Sequence, residues 1–281
     1  MKIFTEPAKL QKWANSRRKA GKRIALVPTM GYLHEGHLSL IAAAKKKGAD
    51  EIVVSIFVNP IQFGPKEDFA RYPRNEAADL AKCRKAGASV VFIPKADDMY
   101  AKDHSIFVDE RLLGKTLCGQ RRPGHFRGVC TVVAKLFNLV RPNLAVFGQK
   151  DYQQLLIIRR MARDLNFDVK IISAPIVREP DGLAMSSRNA YLSPEDRAHA
   201  LALSRVLADL QKEVRREDEL DWYPRRIQVI RSLRENGLNV DYVEAVEPDT
   251  LKPVDVLTHG RTVVLLAVYC GGTRLIDNAM V

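Results

Sequence analysis

Two histidines near the start of the chain have a spacing that suits phosphate chemistry. His34 and His37 lie between an apolar run at residues 24–27, typical of a buried strand, and residues 38–47, which are predicted to form a helix with a cationic last turn. Imidazoles beside a helix N-terminus can donate hydrogen bonds to phosphate oxygens, and the helix dipole favours an anion there. The pattern indicates a polyphosphate site, but two surface histidines in a loop would have the same pattern.

Gly31 and Gly36 fall in this predicted strand-to-helix turn. A residue without a side chain lets a ligand approach the backbone closely. In an open parallel sheet, ligands bind at such turns, beyond the carboxyl ends of the strands.

Polar amides follow the next predicted strand. The β-branched run at residues 51–58 ends before Asn59 and Gln62. Because parallel strands end at one edge of the sheet, these side chains are expected to face the same crevice as the histidines. A solvated loop amide is the simpler interpretation of Gln62.

A third strand end brings a cation. The predicted strand at residues 143–147 is followed by Lys150 and Asp151, with Gln154 one helical turn further on. A lysine at this place can reach a phosphate, and Gln154 can bind polar groups of a substrate. Asp151 can equally act as a helix cap.

Two further basic segments could contact an anion. Ser186, Ser187 and Arg188 supply two hydroxyls and a planar guanidinium, a set that can wrap a triphosphate but is also common in polar loops. Residues 121–128 form a basic, glycine-bearing loop, which suits either a mobile lid over an anionic ligand or an ordinary surface loop.

The elements that must position these groups alternate between strand and helix. This alternation predicts an α/β fold, with a Rossmann-like parallel sheet in an N-terminal domain at residues 1–176. No G-x-G-x-x-G motif occurs, so an ordinary NAD site is not expected. The predicted strands lie at residues 24–27, 51–58, 89–93, 143–147 and 168–172, with a short one at 105–109, and the helices at residues 9–20, 38–47, 75–86, 129–140 and 149–165.

The rest of the chain has a different pattern. Residues 173–182 contain two prolines and a glycine and are predicted to join two domains. Ser193 and Pro194 resemble a helix start. Helices and strands then occur in separate runs, which predicts a smaller α+β domain at residues 185–281. Its predicted helices are residues 195–215 and 221–236, and its strands are residues 239–246, 262–269 and 273–278.

Composition limits the class of protein. The chain has 281 residues, 46% of them hydrophobic, and a formal charge of +12. Its basic residues are mixed with acidic ones and no nucleic-acid module is recognisable, so we expect no nucleic-acid partner. The longest apolar run is too short for a bilayer, the N-terminus lacks a signal-peptide core, and the four cysteines are widely spaced. These features favour a cytosolic protein with reduced thiols and no membrane partner.

The candidate groups are mostly cations and neutral donors. There is no Ser-His-Asp arrangement, metal-ligand cluster or carboxylate pair in the pattern. A substrate that brings its own carboxylate nucleophile needs no strong base from the protein. The protein must align that carboxylate with the α-phosphate of ATP and neutralise developing charge, which imidazoles, a lysine, an arginine and Mg²⁺ can do. The product would be an acyl-adenylate.

Seven motifs spread along the chain together resemble the pantothenate synthetase (pantoate–β-alanine ligase) family of H-x-G-H nucleotidyltransferases. The resemblance implies ATP-dependent condensation of (R)-pantoate with β-alanine through a pantoyl-adenylate, with Mg²⁺, in a cytoplasmic homodimer. The motifs are PTMGYLHEGHLSL at 28–40, FVNPIQFG at 57–64, RYPR at 71–74, RPGHF at 122–126, FGQKDYQQ at 147–154, MSSRN at 185–189 and TRLIDN at 273–278.

The resemblance also implies roles for individual residues. His37 would be catalytic, with His34, Lys150 and Arg188, and the last two would steady developing phosphate charge. Gln62 and Gln154 would hold pantoate, and Gln62 would border the β-alanine site. Gln149 stands where the family more often has an acid, so its contact would use the backbone. The implied ATP-binding residues are Met30, Gly31, Tyr32, Leu33, His34, Glu35, Gly36, His37, Gly148, Gln149, Lys150, Asp151, Val177, Met185, Ser186, Ser187 and Arg188, and no residue is implied as a metal ligand.

Two other functions are compatible with parts of the sequence. One is a nucleotidyl transfer to a phosphate acceptor on the same fold, which the neutral amides of Gln62 and Gln154 disfavour. The other is a tRNA-binding module, which the fold marks and the charge of +12 alone support.

Overall fold

Two compact units make up the chain. The computed structural model describes residues 1–65 and 67–281. The first unit contains residues 1–149 and 154–175, and the second contains residues 150–153 and 176–281. A six-stranded parallel sheet in the first and a smaller antiparallel sheet in the second confirm the predicted fold class.

The first unit is built on the parallel sheet. Its central strands are rich in β-branched and aliphatic residues, and they are buried because helices cover the sheet. They pair in the order β1-β4-β3-β2-β5-β6. The strands are β1 (Lys2–Phe4), β2 (Ile24–Thr29), β3 (Glu51–Ile56), β4 (Val90–Phe92), β5 (Leu144–Gly148) and β6 (Lys170–Ala174).

Helices connect these strands. Ile41 of α2 and Cys83 of α3 pack with Ala25, Val27 and Val54 of the sheet, while α1 and α6 contact each other and β2. The helices are α1 (Pro7–Lys19), α2 (Glu35–Lys46), α3 (Glu76–Ala86), α4 (Ala96–Met99), α5 (Leu117–Arg121), α6 (His125–Val140) and α7 (Tyr152–Asp164). Short 3-10 turns lie at Pro60–Gln62, Leu113–Lys115 and Gln149–Asp151.

The sheet changes direction between β2 and β5. From β2 the chain builds towards β3 and β4, and from β5 it builds the other way to β6. Strands β2 and β5 pair only at Ala25–Leu144 and Leu26–Ala145, although β2 continues to Thr29 and β5 to Gly148. The two strands therefore part at their carboxyl ends, which is where ligands bind in open α/β sheets.

Pro28 explains why this pairing stops. The carbonyl of Thr29 accepts from Phe57 N on the β3 side, at 3.1 Å. Alternate residues of a strand face opposite neighbours, so the backbone nitrogen of Pro28 faces β5. Proline has no N–H to donate, and the β2–β5 ladder cannot continue through it.

The second unit packs helices on an antiparallel sheet. Leu203, Leu207 and Leu210 of one helix, with Trp222 and Leu233 of the next, fill its core against the sheet. The strands β11-β10-β8 form one sheet and β7-β9 a small second one. The elements are a 3-10 turn (Ser187–Tyr191), α8 (Pro194–Ala200), α9 (Ala202–Glu217), β7 (Glu219–Asp221), α10 (Trp222–Glu235), β8 (Asn239–Val246), β9 (Val256–Thr258), β10 (Val263–Cys270) and β11 (Thr273–Met280).

Two predicted element boundaries are wrong near the histidines and in the second unit. Helix α2 begins at Glu35 and not at residue 38, so Gly36 lies in its first turn. The predicted helix at 195–215 is two helices, α8 and α9, that meet at Leu201. There the Ser204 hydroxyl donates to the Leu201 carbonyl at 3.1 Å, a local bond of the kind that competes with helix geometry.

The predicted strand at 105–109 is also wrong. This segment forms no ladder, and it is fastened to α6 by side chains. Val108 N donates to Thr131 Oγ1 at 3.0 Å, and the Arg127 guanidinium lies 3.7 Å from the centre of the Phe107 ring. Phe107 and Val108 of this apolar run therefore contact α6 and do not belong to a sheet. Among the described residues, no helix has the length and apolarity needed to cross a bilayer.

Candidate active site

The turn after β2 is built on a glycine. Gly31 has φ +86°, and a Cβ there would lie 2.9 Å from Ile56 Cγ2. Any other residue would meet both backbone strain and a clash. The next residue, Tyr32, also has a positive φ of 51°, so the chain turns sharply before α2 begins.

A buried carboxylate holds this turn. Asp79 of α3 accepts hydrogen bonds from Tyr32 N at 2.8 Å and from Leu33 N at 2.7 Å. Lys82, one turn further along α3, donates to the Leu33 carbonyl at 2.5 Å. Asp79 is 2% exposed. Its role was not predictable from sequence, because an acidic residue in the first turn of a helix is ordinarily a surface group.

His34 and His37 lie together at the start of α2. Their ring centres are 4.0 Å apart, and His37 N donates to the His34 carbonyl at 2.8 Å. The His34 backbone N–H points at His37 Nδ1 from 3.3 Å, so this ring nitrogen is an acceptor. The neutral ring of His37 then carries its proton on Nε2. A donor at the N-terminus of a helix is suited to an anion.

A chain of buried polar groups orients Gln62. Tyr100 Oη donates to Asn59 Oδ1 at 2.7 Å, and Asn59 Nδ2 donates to Gln62 Oε1 at 3.0 Å. Asn59 Nδ2 also donates to the Gly128 carbonyl at 3.1 Å, which fixes the amide orientation of Asn59. The carbonyl end of Gln62 is thus an acceptor within the protein, and its NH₂ group, 3.1 Å from Met30 Sδ, keeps donor capacity for a ligand.

Burial keeps Tyr100 a donor. Desolvation raises the pKa of its phenol well above the ordinary value, so the hydroxyl stays protonated at physiological pH. Asn59, which was expected to face the crevice beside Gln62, therefore links Tyr100 to Gln62: it accepts from the Tyr100 hydroxyl and donates to Gln62 Oε1. The Tyr100 contribution was not predicted, because the residue lies 38 positions after Gln62 in a segment without regular pattern.

Helix α6 begins against the turn that carries Gln62. A Cβ on Gly128 would lie 2.4 Å from the Ile61 carbonyl oxygen and 2.5 Å from Gln62 Cα. His125 Nδ1 is 2.9 Å from the Gln62 carbonyl, and Arg122 Nη1 is 3.0 Å from His125 Nε2. A guanidinium only donates and a carbonyl only accepts, so His125 is the neutral Nδ1–H tautomer.

An ion pair fastens the same segment. Arg122 donates from Nε and Nη2 to the two carboxylate oxygens of Glu67, each at 2.7 Å. Burial alone would raise the pKa of Glu67, but the hydrogen bonds and charge of Arg122 hold that pKa below its ordinary value. The prediction of a loop through residue 128 is wrong: α6 begins at His125, and only residues 122–124 link it to α5. Arg122 of this short link is tied to the loop that follows Gln62.

The other predicted residues of the first unit lie at the ends of its elements. Gly148 is the last residue of β5, and Gln149 begins the 3-10 turn that follows. Gln154 is a half-buried residue in the first turn of α7. Glu35 is exposed as the first residue of α2.

The second unit holds the predicted cations. Lys150 Nζ lies 4.0 Å from Asp151 Oδ2, and the Lys150 side chain is 21% exposed. Asn278 Nδ2 donates to the Lys150 carbonyl at 2.9 Å. Lys150 is thus held through its backbone while its amine carries the positive charge.

The remaining predicted ATP residues form a hairpin and a turn. Met185 N donates to the Val177 carbonyl at 3.0 Å, which brings these two residues together. Ser186 caps the following 3-10 turn by accepting from Arg188 N at 3.3 Å. Ser187 is buried, and Arg188 is half-buried.

The donor set is suited to a nucleotide and less to a metal held by protein alone. Within residues 1–65 and 67–281, no group of three or more His, Cys, Asp or Glu side chains could hold a metal ion. Mg²⁺ commonly binds through substrate phosphates with one or two carboxylates. The exposed carboxylate of Asp151 beside Lys150 fits that arrangement.

Comparisons with known proteins agree along the whole chain. The family model described as pantoate-beta-alanine ligase matches residues 2–280. A pantothenate synthetase from Geobacter sulfurreducens is 51% identical over 281 residues, which cover 100% of this chain and 98% of that protein.

Solved structures of pantothenate synthetases are also similar to this chain over its full length. The pantothenate synthetase of Thermus thermophilus has a TM-score of 0.89 at 40% identity, with 100% of this chain and 99% of that chain covered. The pantoate-beta-alanine ligase of Francisella tularensis, crystallised with beta-gamma ATP and β-alanine, has a TM-score of 0.84 at 33% identity, with 100% and 97% covered. The chain therefore belongs to the pantoate–β-alanine ligase family.

Proposed function

We propose that this protein condenses (R)-pantoate with β-alanine, using ATP that is cleaved to AMP and pyrophosphate through a pantoyl-adenylate. Family membership over residues 2–280 supports the overall reaction. The observation that carries the mechanism is the parting of β2 and β5 after Leu26 and Ala145, beside the turn that carries His34 and His37.

In the first step, a carboxylate oxygen of pantoate attacks the α-phosphorus of ATP. The new bond joins that oxygen to phosphorus, and the bond from phosphorus to the pyrophosphate oxygen breaks. No base is needed, because the nucleophile is already an anion. The protein accelerates this step by aligning the two reactants and by neutralising charge on the phosphate oxygens.

Gln62 is proposed to align pantoate. Asn59 occupies its carbonyl oxygen, so its NH₂ group is the end that meets the substrate. An amide donor suits the hydroxyl or carboxylate oxygens of pantoate. Gln154, at the start of α7, is proposed to bind the same substrate from a second side.

His37, Lys150 and Arg188 are proposed to stabilise the charge that develops on the phosphates. His37 offers an Nε2–H at the N-terminus of α2, where the helix dipole adds to its effect. Lys150 and Arg188 bring full charges to the triphosphate. His34 and the backbone at residues 30–36 complete the proposed ATP contacts, with Gly148, Gln149, Asp151, Val177 and residues 185–187.

In the second step, the amine of β-alanine attacks the acyl carbon of the adenylate. The carbon–oxygen bond to the phosphate breaks, AMP leaves with the electron pair, and the amine loses a proton. Gln62 is proposed to border the β-alanine site as well. Mg²⁺ bound to the phosphates would supply further charge neutralisation when present, with Asp151 as the available carboxylate.

The assembly and location are proposed from the family resemblance. We propose that the protein is a homodimer and that it is located in the cytoplasm. Sedimentation of the purified protein would test the dimer. A monomeric species at micromolar concentration would contradict it.

An isotope experiment tests the adenylate directly. Pantoate labelled with ¹⁸O in both carboxylate oxygens should transfer one ¹⁸O atom to the phosphate of AMP, because the attacking oxygen stays on phosphorus when the acyl carbon is released. Mass spectrometry of AMP reads the outcome. Unlabelled AMP, or ADP with labelled inorganic phosphate, would contradict the proposal.

A further inference from the structure

Two adjacent polar residues near the end of β11 are buried in the second unit. Asp277 is 2% exposed and Asn278 is 6% exposed. Both residues belong to the motif at 273–278, and the family resemblance implies no role for either. Their partners lie in the two segments of this unit that carry predicted ATP residues.

Asp277 holds the hairpin at residues 177–185. Its two carboxylate oxygens accept from Arg178 Nη1 at 2.7 Å and Nη2 at 3.0 Å. Arg178 Nη1 also donates to the Gly182 carbonyl at 3.1 Å. Arg178 is next to Val177 and contacts Gly182, so its pair with Asp277 fixes both the first arm and the tip of this hairpin.

Asn278 holds the segment at residues 150–153. Its Nδ2 donates to the Lys150 carbonyl at 2.9 Å, and its backbone N–H donates to Asp277 Oδ1 at 2.8 Å. The second bond ties the backbone of Asn278 to the carboxylate of Asp277, and the same oxygen, Asp277 Oδ1, also accepts from Arg178.

We propose that Asp277 and Asn278 are positioning residues that fix the Lys150 backbone relative to the Val177–Met185 hairpin. This proposal rests on the proposed function, since it takes Lys150 and the hairpin to contact ATP. Neither residue touches a reacting atom. The pair, here called the 277–278 anchor, acts through the segments it holds.

A positioning role explains why polar groups occupy this buried place. Pairing of β11 with β10 uses backbone groups along residues 273–280 and needs neither side chain. A buried ion pair seldom adds net stability compared with apolar residues of the same volume. Its directional bonds do fix the geometry of the segments that it joins.

The test is Asn278→Ala with Asn236→Ala as a matched control. Asn236 makes the same kind of bond in the same unit, from Nδ2 to the Ser232 carbonyl at 2.8 Å at the end of α10. Three quantities are compared: pantoate-dependent pyrophosphate exchange into ATP, the reaction of supplied pantoyl-adenylate with β-alanine, and amide hydrogen exchange at residues 150–153. Asn278→Ser is the second variant if the alanine variant does not fold.

Asn278→Ala should lower the exchange kcat by roughly tenfold to a hundredfold, the scale of a small misplacement in a catalytic site. The adenylate reaction should change less than about threefold, and hydrogen exchange should rise at residues 150–153. Asn236→Ala should leave all three near wild type.

Equal exchange kcat values for the two variants, or unchanged hydrogen exchange at 150–153 in Asn278→Ala, would overturn the anchor. Hydrogen exchange is measured without substrate, so it reports on the anchor alone. A wild-type protein that lacks pantoate-dependent exchange would instead contradict the proposed function.

Discussion

The hydrogen-bond partners of the two ring nitrogens differ between His37 and His125, and they determine what each histidine can do. The Nδ1 atom of His37 accepts a backbone N–H, so its neutral ring carries the proton on Nε2, whereas His125 lies between Arg122 and the Gln62 carbonyl. The first ring can act on a ligand, and the second can fix a neighbour. Residue types alone cannot separate these roles.

The chemistry of the candidate groups was readable from sequence, but their orientation was not. The pattern indicated donors and cations at the ends of strands. It could not indicate that Asn59 donates to the carbonyl end of Gln62, or that Asp79 holds the backbone at Tyr32 and Leu33. Such bonds join residues far apart in the chain, and no local spacing reports them.

His37→Ala and Lys150→Ala should each slow adenylate formation by about a hundredfold or more, the usual scale for loss of one charge-stabilising donor. Rapid-quench measurement of pantoyl-adenylate reads this step. The reaction of supplied adenylate with β-alanine should stay close to wild type, because the lost groups act on the triphosphate.

Exposed residues of the same types provide controls for this comparison. His259→Ala and Lys170→Ala should leave the first step unchanged, since both side chains lie on the surface. First-step rates in the His37 and Lys150 variants equal to those of the controls would exclude the two residues from the mechanism.

At the scale of elements, the strand and helix order was predictable because each buried strand is a compact apolar run. The first and last residues of the helices and strands were less predictable. Helix α2 starts early because the turn after Gly31 is held by α3, a tertiary effect. Strands β1, β7 and β9 span three residues each, too few for a period to be recognised.

The sequence carries one further signal at the scale of elements. Pro28 lies in a strand that is central in the sheet, a position that proline normally avoids. The structure explains it as the residue where the β2–β5 ladder stops. A proline at the end of a buried strand before a glycine turn can therefore indicate a sheet that opens for a ligand.

The close contact of α6 with the Gln62 turn predicts a cost for any side chain at Gly128. Gly128→Ala should lower the free energy of unfolding by about 1–3 kcal/mol, as overpacking commonly does, and should raise the KM for pantoate by displacing Gln62. Urea unfolding and initial rates measure the two effects.

Gly272→Ala is the matched control, because a Cβ there meets nothing within 4 Å. It should change neither quantity. A Gly128→Ala protein with wild-type stability would show that α6 can shift without effect on the turn.

The Glu67–Arg122 pair predicts a pH dependence. Because Arg122 lowers the pKa of Glu67 in the folded state, the pair stabilises the fold above the ordinary pKa of a glutamate, about 4.3, and loses this effect as pH falls through the lowered value. At pH 7 the free energy of unfolding of the wild type should exceed that of Glu67→Gln by about 1–2 kcal/mol, after allowance for the partial exposure of the pair.

Urea unfolding at several pH values measures this difference. It should be constant between about pH 8 and pH 5 and should shrink below about pH 4. Glu235→Gln, which removes an exposed pair with Arg231 on α10, should have little effect at any pH. A Glu67 difference that persists unchanged to pH 3 would contradict the assignment.

At the scale of the whole molecule, family membership was predictable because the motifs are spread over the full chain. The predicted ATP residues are shared between the two units, with Gly148 and Gln149 in the first and Lys150 and Asp151 in the second. No local pattern could indicate this division, since it falls inside one short turn.

The formal charge of +12 favours anionic ligands in general. A positive field raises the local concentration of ATP, pyrophosphate and pantoate, which are all anions. We propose that the carboxylate of pantoate is the nucleophile of the first step.

Pyrophosphate exchange tests this central claim most directly. Labelled pyrophosphate is incubated with ATP and the protein, and the incorporation of label into ATP is measured with pantoate alone, β-alanine alone and neither. The account predicts exchange that requires pantoate and does not require β-alanine. Exchange supported only by a phosphorylated acceptor, or no exchange until β-alanine is added, would contradict it.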